Sequence, residues 1–276
     1  MDDFSTEVWL WWWGMAAIGL LSLVLWAVSA WSVLRRSEPA QAILRYRRWQ
    51  LLLSAGCVLG CASGSFVLWA DVQRLSSIDG LSANVLVGRT IATVAEVMFV
   101  AQWALLLGFL SRRAGSGSGL VLSRALVLLI LAAETCSWYA VLTTNDLGNA
   151  LAGSIQAATV ALLMLGLVAL YRSAEAPLRR FLQLALGLGV ACVLFLATVD
   201  VPMSLSRWWA DQAAGRTYPS LSEGLSDAMR RTVGGRWAGW RDEILWMSLY
   251  FSSAAWVSLA LIHLPRLPEE TRGRRG

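Results

Sequence analysis

Seven long apolar runs constrain the fold of this 276-residue chain more than any other feature. Each run has about 20 or more residues, the length that an α-helix needs to cross a ~30 Å hydrocarbon core at ~1.5 Å per residue. The runs lack the apolar–polar alternation of membrane β-strands, so they are predicted to be helices. In chain order they cover residues 8–34, 49–70, 90–110, 125–144, 147–171, 181–201 and 244–264.

The composition agrees with this pattern. Charged residues make up 15% of the chain and hydrophobic residues 57%, whereas a soluble domain has roughly 25% charged residues. The first run is preceded by Asp2 and Asp3 rather than by basic residues, so it is expected to be a membrane helix and not a cleavable signal peptide. The sequence therefore predicts an all-α integral membrane protein, with residues 1–276 in a single seven-helix domain.

The positions of the arginines predict the orientation. All 23 basic residues are Arg, and 15 of them lie in alternate connections, at residues 35–48, 112–124, 172–180 and 266–275. Because positively charged loops stay in the cytoplasm, the N-terminus is predicted outside and the C-terminus inside. Residues 265–276 then form a basic cytoplasmic tail. The exclusive use of Arg is typical of a GC-rich bacterial genome, so a multi-pass protein of a bacterial inner membrane is expected.

A long outer segment, residues 203–241, separates the sixth and seventh runs. Ser220 and Glu223 have the spacing of a helix capping box. Apolar side chains recur every four residues after it, at Leu221, Leu225, Met229 and Val233. The segment is predicted to contain a short amphipathic helix on the outer membrane surface. It either connects two spans or covers an outward-facing cavity as a lid.

Two glutamates stand inside apolar runs, Glu96 in the third and Glu134 in the fourth. A carboxyl group inside a membrane is costly and usually faces the protein interior, which makes it a candidate functional group. From the helical rise, Glu96 is expected ~10 Å and Glu134 ~16 Å below the outer surface. The structural alternative is that Arg89 pairs with Glu96 and that Glu134 is a protonated side chain bonded to a neighbouring helix.

Helical phase groups polar and aromatic side chains on the faces that carry these glutamates. Arg89 shares a face with Glu96, and Ser137, Trp138 and Asn145 share a face with Glu134. If the faces converge, they form an outward-facing pocket with carboxylates and indoles. The predicted ligand-binding residues are Glu96, Glu134, Arg89, Ser137, Trp138, Asn145, Asp200 and Glu243.

Several classes of protein are disfavoured. The chain has no lysine for a Schiff base and one histidine, His263, which excludes bis-histidine haem ligation within the chain. No hydrolase, P-loop or dinucleotide-binding motif is present, and no cofactor, metal site or nucleic-acid partner is predicted. In helix number and orientation the chain resembles rhodopsins, seven-helix receptors and the seven-helix sugar transporters, but the retinal lysine and the sugar transporters' Pro-Gln motif are missing.

The leading hypothesis is therefore transport or sensing, in which the pocket binds a small cationic or amphipathic ligand or couples to protons or cations. The first alternative is a non-catalytic membrane subunit that docks other membrane proteins through the glycine stripe at Gly56, Gly60 and Gly64. The second is an intramembrane enzyme that uses carboxylates, for which no catalytic residue can be named. The lipid bilayer is a partner in every case.

Overall fold

A computed structural model of the protein describes residues 5–35, 41–70, 75–76, 84–171, 176–229 and 237–263. The regular secondary structure of the described residues is helical apart from a two-residue antiparallel pairing of β1 with β2. The elements in order are α1 (Thr6–Arg35), α2 (Gln41–Phe66), β1 (Trp69–Ala70), β2 (Leu75–Ser76), α3 (Val85–Ala114), α4 (Gly117–Thr143), α5 (Asp146–Tyr171), α6 (Ala176–Phe195), a π-helical turn (Leu196–Asp200), α7 (Val201–Ala213), α8 (Leu221–Ala228) and α9 (Trp237–Ile262).

In the part of the chain that the structure describes, seven helical segments are long and apolar enough to cross a membrane, the number that the sequence predicts. They are α1 to α5, the continuous rod from Leu178 to Ala213, and the part of α9 from Ile244 to Ile262. Most helices are longer than the corresponding apolar runs, because polar and basic residues at the ends of the runs also adopt helical conformation. Arg112 and Arg113, for example, lie in the last turn of α3.

The connection between α3 and α4 is a tight turn, although its Gly-Ser sequence suggests a flexible linker. Gly115 ends α3 in the left-handed conformation with φ 67°, and the Ser116 backbone N–H donates to the Ser111 carbonyl at 2.9 Å. The Ser116 side chain then caps α4 by accepting from the Gly119 N–H. Glycine supplies the positive φ at low cost, so the two helices join with two residues between them.

The sixth span continues far beyond its predicted end at residue 201. Pro202 lies at the start of α7, directly after the π-helical turn. Proline has no N–H to donate and crowds the preceding turn, and a π-turn is one way to accommodate it without ending the helix. The rod from Leu178 to Ala213 is 36 residues, or about 54 Å at the helical rise. Residues 203–213 of the predicted outer segment therefore belong to a helix that is longer than a bilayer core is thick.

The helices form two groups joined by α3. On one side, α1, α2 and α9 pack together; on the other, the α4–α5 hairpin packs against the rod formed by α6 and α7. Helix α3 contacts α2, α4, α5 and α9. We call the end of the bundle that holds the turn at Thr144 and Asn145 the α4–α5 end, and the end that holds Gly115 the α3–α4 end.

Small residues let α2 approach its neighbours closely, as the glycine stripe predicts. A Cβ atom added at Gly60 would lie 2.5 Å from the Ala95 side chain of α3. One added at Gly64 would lie 2.5 Å from the ring of Phe251 in α9. The stripe is thus covered by helices of the same chain.

A buried amide network ties α2, α3 and α9 together. The Gln102 side chain donates to Oε1 of Gln50 at 3.1 Å, and the Ser258 hydroxyl donates to Oε1 of Gln102 at 2.7 Å and contacts the Ser54 hydroxyl at 2.9 Å. Gln50, Gln102, Ser54 and Ser258 are fully buried. Gln102 lies between apolar residues in the sequence, and the structure gives it partners on two other helices.

The capping box predicted before α8 is present. The Ser220 side chain accepts from the Glu223 N–H, and the Glu223 carboxylate accepts from the Ser220 N–H. Helix α8 packs on the α4–α5 end of α4, where Gly224 and Ala228 are buried. The three apolar side chains Leu221, Leu225 and Met229 are exposed, as expected for a face that meets lipid.

Candidate functional site

The bundle contains an open cavity of about 540 Å³, lined by residues of α3, α4, α5, the α6–α7 rod and α9. In the most apolar window of the rod no residue is buried. One face of the rod thus lines the cavity, and its other faces lie on the outer surface of the bundle.

The lining changes character along the bundle. Toward the α4–α5 end it includes Arg89, Asn149, Asp200 and Arg207. Toward the α3–α4 end it is formed by Phe99, Trp103, Leu126, Leu163 and Leu167. Along α3 the lining runs from Gly88 to Trp103, about 22 Å at the helical rise. The cavity is therefore elongated, with one polar end and one apolar end.

Glu134 lies behind the polar part of the cavity and is 3% exposed. Its Oε2 atom accepts hydrogen bonds from the Arg89 guanidinium and from the Thr93 hydroxyl, one turn apart on α3. The Trp138 indole donates in turn to the Thr93 hydroxyl at 3.0 Å. The other carboxylate atom, Oε1, is buried and has no hydrogen-bond partner among the described residues.

Glu96 lines the cavity itself. Its Oε1 atom is 3.8 Å from the same Arg89 nitrogen that contacts Glu134. Its Oε2 atom accepts a hydrogen bond from the Gln156 amide of α5 at 2.9 Å. Arg89, Glu96 and Glu134 therefore form one cluster, which we call the carboxylate–arginine cluster.

The two predicted glutamates thus meet, although the helical rise placed them ~6 Å apart in depth. Arg89 bridges the difference because its long side chain extends along α3 toward both carboxyl groups. The sequence favoured Arg89 as the counter-ion of Glu96. In the structure its hydrogen bond goes to Glu134, with Glu96 at the longer distance.

Comparisons of the chain with known protein families, with curated proteins and with solved structures find no match.

The other predicted site residues fall into different places. Ser137 and Asp200 line the cavity, and Trp138 reaches the cluster through Thr93. Asn145 lies at the α4–α5 turn, where its side chain accepts from the Leu147 N–H and caps α5. Glu243 belongs to α9, but its side chain lies outside the described residues.

Asp200 reaches the cavity from the π-helical turn of the rod. Its Oδ2 atom lies so close to α5 that a Cβ atom added at Gly153 would be 2.8 Å away. A π-turn adds a residue to the helical turn and changes the direction of the side chains that follow it. The local irregularity around Pro202 therefore sets where a charged side chain of the rod meets α5.

Sequence reasoning missed Arg207 and Asn149 as lining residues. Arg207 was assigned to an outer loop because the apolar run ends at residue 201. The signal that places it in a helix is the lack of any glycine or other strong helix breaker between Pro202 and Ala213. Asn149 lies one helical turn after the α4–α5 turn. From the sequence alone, a side chain at this position could either cap α5 or line the cavity.

The cluster has the chemistry of a buried site that pairs acidic groups with a cation. Two carboxyl groups contact one guanidinium, and the apolar surroundings strengthen interactions between charges. Arg89 lies where a metal ion would have to bind to be shared by both carboxylates. A cationic group that enters the cavity can reach Glu96 directly, whereas Glu134 is shielded behind it.

Proposed function

We propose that this chain is a bacterial inner-membrane protein that binds a small amphipathic organic cation in its cavity, for transport or for sensing. The observation that carries the proposal is the polarity of the cavity. The Glu96 carboxylate lies part-way along the elongated cavity, and aromatic and aliphatic side chains line the cavity toward the α3–α4 end.

The dimensions of the cavity suit a ligand with a charged head and an apolar body. The cationic head contacts Glu96, and the body extends along Phe99 and Trp103 of α3. Indole and phenyl rings stabilise organic cations through their faces, and apolar burial adds to the binding free energy. A volume of about 540 Å³ is within the range of sites for small organic molecules.

The orientation forms part of the same proposal. The arginine distribution predicts that the α4–α5 end lies outside, and in that orientation the polar end of the cavity faces the exterior. In this orientation α8 lies at the outer surface, packed on α4. The cavity lining contains no residue from α8, so in the described part of the chain α8 connects spans rather than covering the cavity.

Equilibrium binding of tetraphenylphosphonium, a hydrophobic cation, to the purified protein in lipid nanodiscs tests the proposal. We expect saturable binding that quenches tryptophan fluorescence, since Trp69, Trp103 and Trp246 line the cavity. Glu96→Gln is expected to weaken binding by at least about tenfold, or ~1.4 kcal/mol.

Two controls sharpen the test. Glu223→Gln removes a carboxylate from α8 while Gln still serves a capping box, so binding should be unchanged. Tetraphenylborate has the same shape and the opposite charge and should compete poorly. Equal competition by the anion, or equal affinity of Glu96→Gln and the wild-type protein, contradicts the proposal.

A further inference from the structure

We propose that the ligand reaches this cavity laterally from the bilayer, between the α6–α7 rod and α9, so that the site takes an amphiphilic cation that is dissolved in lipid. This inference rests on the proposed function and names the class and the source of its ligand. The packing of the rod and of α9, the residues between them and their depth in the spans carry it.

The rod and α9 both line the cavity, but they are held in place by different helices. The rod packs on α5, whereas α9 packs on α1, α2 and α3. Between the rod and α9 the described residues show no comparable packing. The two helices are therefore separated where they line the cavity.

The residues on the two sides of this separation are apolar or small, and some of them are exposed. Leu188 of the rod is 42% exposed and Leu249 of α9 is 52% exposed, although both line the cavity. A side chain that lines a cavity and also lies on the outer surface marks a place where the cavity opens. We call this opening the lateral gap, and its lining residues are Leu188, Ala191, Cys192 and Phe195 of the rod and Leu249, Ser253 and Val257 of α9.

The lateral gap is closed toward the α3–α4 end. Leu182 of α6 and Leu261 of α9 are fully buried and belong to one apolar cluster. The Phe181 ring stacks on the Trp103 ring, with the ring centroids 6.4 Å apart. The opening therefore lies between this cluster and the α4–α5 end.

The lateral gap lies at the depth of the hydrocarbon core. The span of α9 from Ile244 to Ile262 has 19 residues, or about 28 Å at the helical rise, and Leu249, Ser253 and Val257 all lie within it. The Ser253 hydroxyl donates to the Leu249 carbonyl of its own helix, so it needs no water. A gap with apolar walls at this depth suits alkyl chains and aromatic rings better than water.

The lateral gap selects among the cations that the proposed function allows. A hydrophilic cation gains nothing from this route, because its desolvation in lipid is costly. An amphiphile dissolved in the bilayer brings its apolar body through the gap, and its cationic head contacts Glu96, which lines the cavity. Because the cavity is open to lipid on this side, the apolar body can be longer than the cavity itself.

Spin-label accessibility in the ligand-free protein in lipid nanodiscs tests the lateral gap. In a Cys192→Ser background a nitroxide is attached at Val160→Cys, a cavity-lining position of α5. The references are Leu128→Cys, exposed in the span of α4, and Ala214→Cys, exposed after α7. We expect oxygen, which concentrates in lipid, to relax the Val160 label about as strongly as the Leu128 label, and a water-soluble nickel chelate to leave it unaffected.

Two accessibility results overturn the proposal. Relaxation of the Val160 label by the nickel chelate, to the degree seen at Ala214, shows that the cavity is filled from water. Access by neither reagent shows that the gap is closed, as it is when a second copy of the chain or another helix covers it.

Stopped-flow quenching of tryptophan fluorescence by tetraphenylphosphonium tests the route of entry. Ala191→Phe places a ring in the lateral gap, because Ala191 is exposed on the rod and also lines the cavity. We expect association and dissociation both to slow by at least about tenfold, since a narrowed route raises the barrier in both directions. A damaged binding site speeds dissociation instead.

Each side of the gap offers a matched control. Val190 is the exposed neighbour of Ala191 and is not among the described lining residues, so Val190→Phe should leave both rates unchanged. On α9, Ser253→Phe narrows the gap, whereas the half-buried neighbour Ser252, which also bonds to its own helix, does not line the cavity. Equal rates in the lining variants and in their neighbours, including Ser252→Phe, overturn the lateral route.

The two proposals fail differently. Binding of the probe by a protein whose cavity admits the nickel chelate overturns the lateral route and leaves the proposed function intact. Oxygen access to Val160 without any binding of the probe contradicts the proposed function, and the ligand class with it, while the lateral gap stands.

Discussion

Gln102 illustrates how one polar side chain in an apolar run is stabilised by neighbours that are remote in sequence. It bonds to Gln50 of α2 and to Ser258 of α9 while its own helix contributes none of these side-chain partners. Both partners are fully buried. Inside a membrane the alternative to such bonds is an unsatisfied polar group, so we regard the network as structural.

Gln102→Leu keeps the approximate volume and removes the amide. We expect a loss of about 1–2 kcal/mol in unfolding free energy, because interhelical hydrogen bonds in membrane proteins contribute roughly 0.6 kcal/mol each on average and Gln102 makes several. Reversible unfolding in mixed micelles measures this. Gln183→Leu is the matched control, since Gln183 is exposed and bonds only to the Tyr171 hydroxyl among the described residues; a similar loss in both variants argues against the network.

At the scale of elements, α8 shows how a single glycine determines where a short helix packs. Gly224 faces the backbone of α4, and an added Cβ atom would lie 1.8 Å from the Leu142 carbonyl oxygen. No rearrangement of a flexible side chain relieves such a contact. The exposed apolar side chains account for the amphipathic pattern of α8. Gly224, on the buried side, determines how closely α8 packs against α4.

Gly224→Ala should therefore displace α8 from α4. We expect amide hydrogen exchange across Leu221–Ala228 to accelerate by at least about tenfold, equivalent to ~1.4 kcal/mol of local stability. Gly14→Ala is the control, because a Cβ atom at Gly14 meets nothing within 4 Å. Unchanged exchange in Gly224→Ala would show that α8 docks in some other way.

The same helix carries a pH-dependent cap. Hydrogen bonds from the Ser220 hydroxyl and then from the Ser220 backbone N–H hold the pKa of Glu223 below its usual range. A lowered pKa means that the cap stabilises α8 above the usual carboxyl pKa and is lost as the pH falls through the lowered value. Capping is thus complete at neutral pH.

At the scale of the whole molecule, arginine placement rather than packing predicts the direction of the bundle in the membrane. The α3–α4 end bears Arg112 and Arg113 in the last turn of α3, whereas Glu7 lies in the first turn of α1 at the other end. The rod also protrudes at the α4–α5 end, where its last turns carry exposed polar side chains. An outside location of that end is the proposal to test.

A membrane-impermeant maleimide applied to intact cells tests the orientation. In a Cys192→Ser background, Ala214→Cys at the α4–α5 end should be labelled, and Ser118→Cys at the α3–α4 end should be labelled only after the cells are disrupted. Both positions are exposed, so accessibility within the fold is matched. Labelling of Ser118→Cys in intact cells would reverse the assignment.

The sequence by itself determined the helices and identified the candidate residues of the site. Length and hydropathy fix seven spans because lipid offers no hydrogen bonds to an irregular backbone. The cost of a charge in an apolar run marked Glu96 and Glu134 as candidates for a shared site. These conclusions depend on local properties of the chain, which a sequence displays directly.

The tertiary structure alone decided which of those residues meet. The sharing of Arg89 by both glutamates, the capping role of Asn145 and the extension of the rod past Pro202 all depend on how helices tilt, rotate and pack. A depth counted along one helix cannot report the position of a side chain on another. The partners of a buried group are set by contacts between helices, and in this protein they turned two isolated carboxyl groups into one cluster.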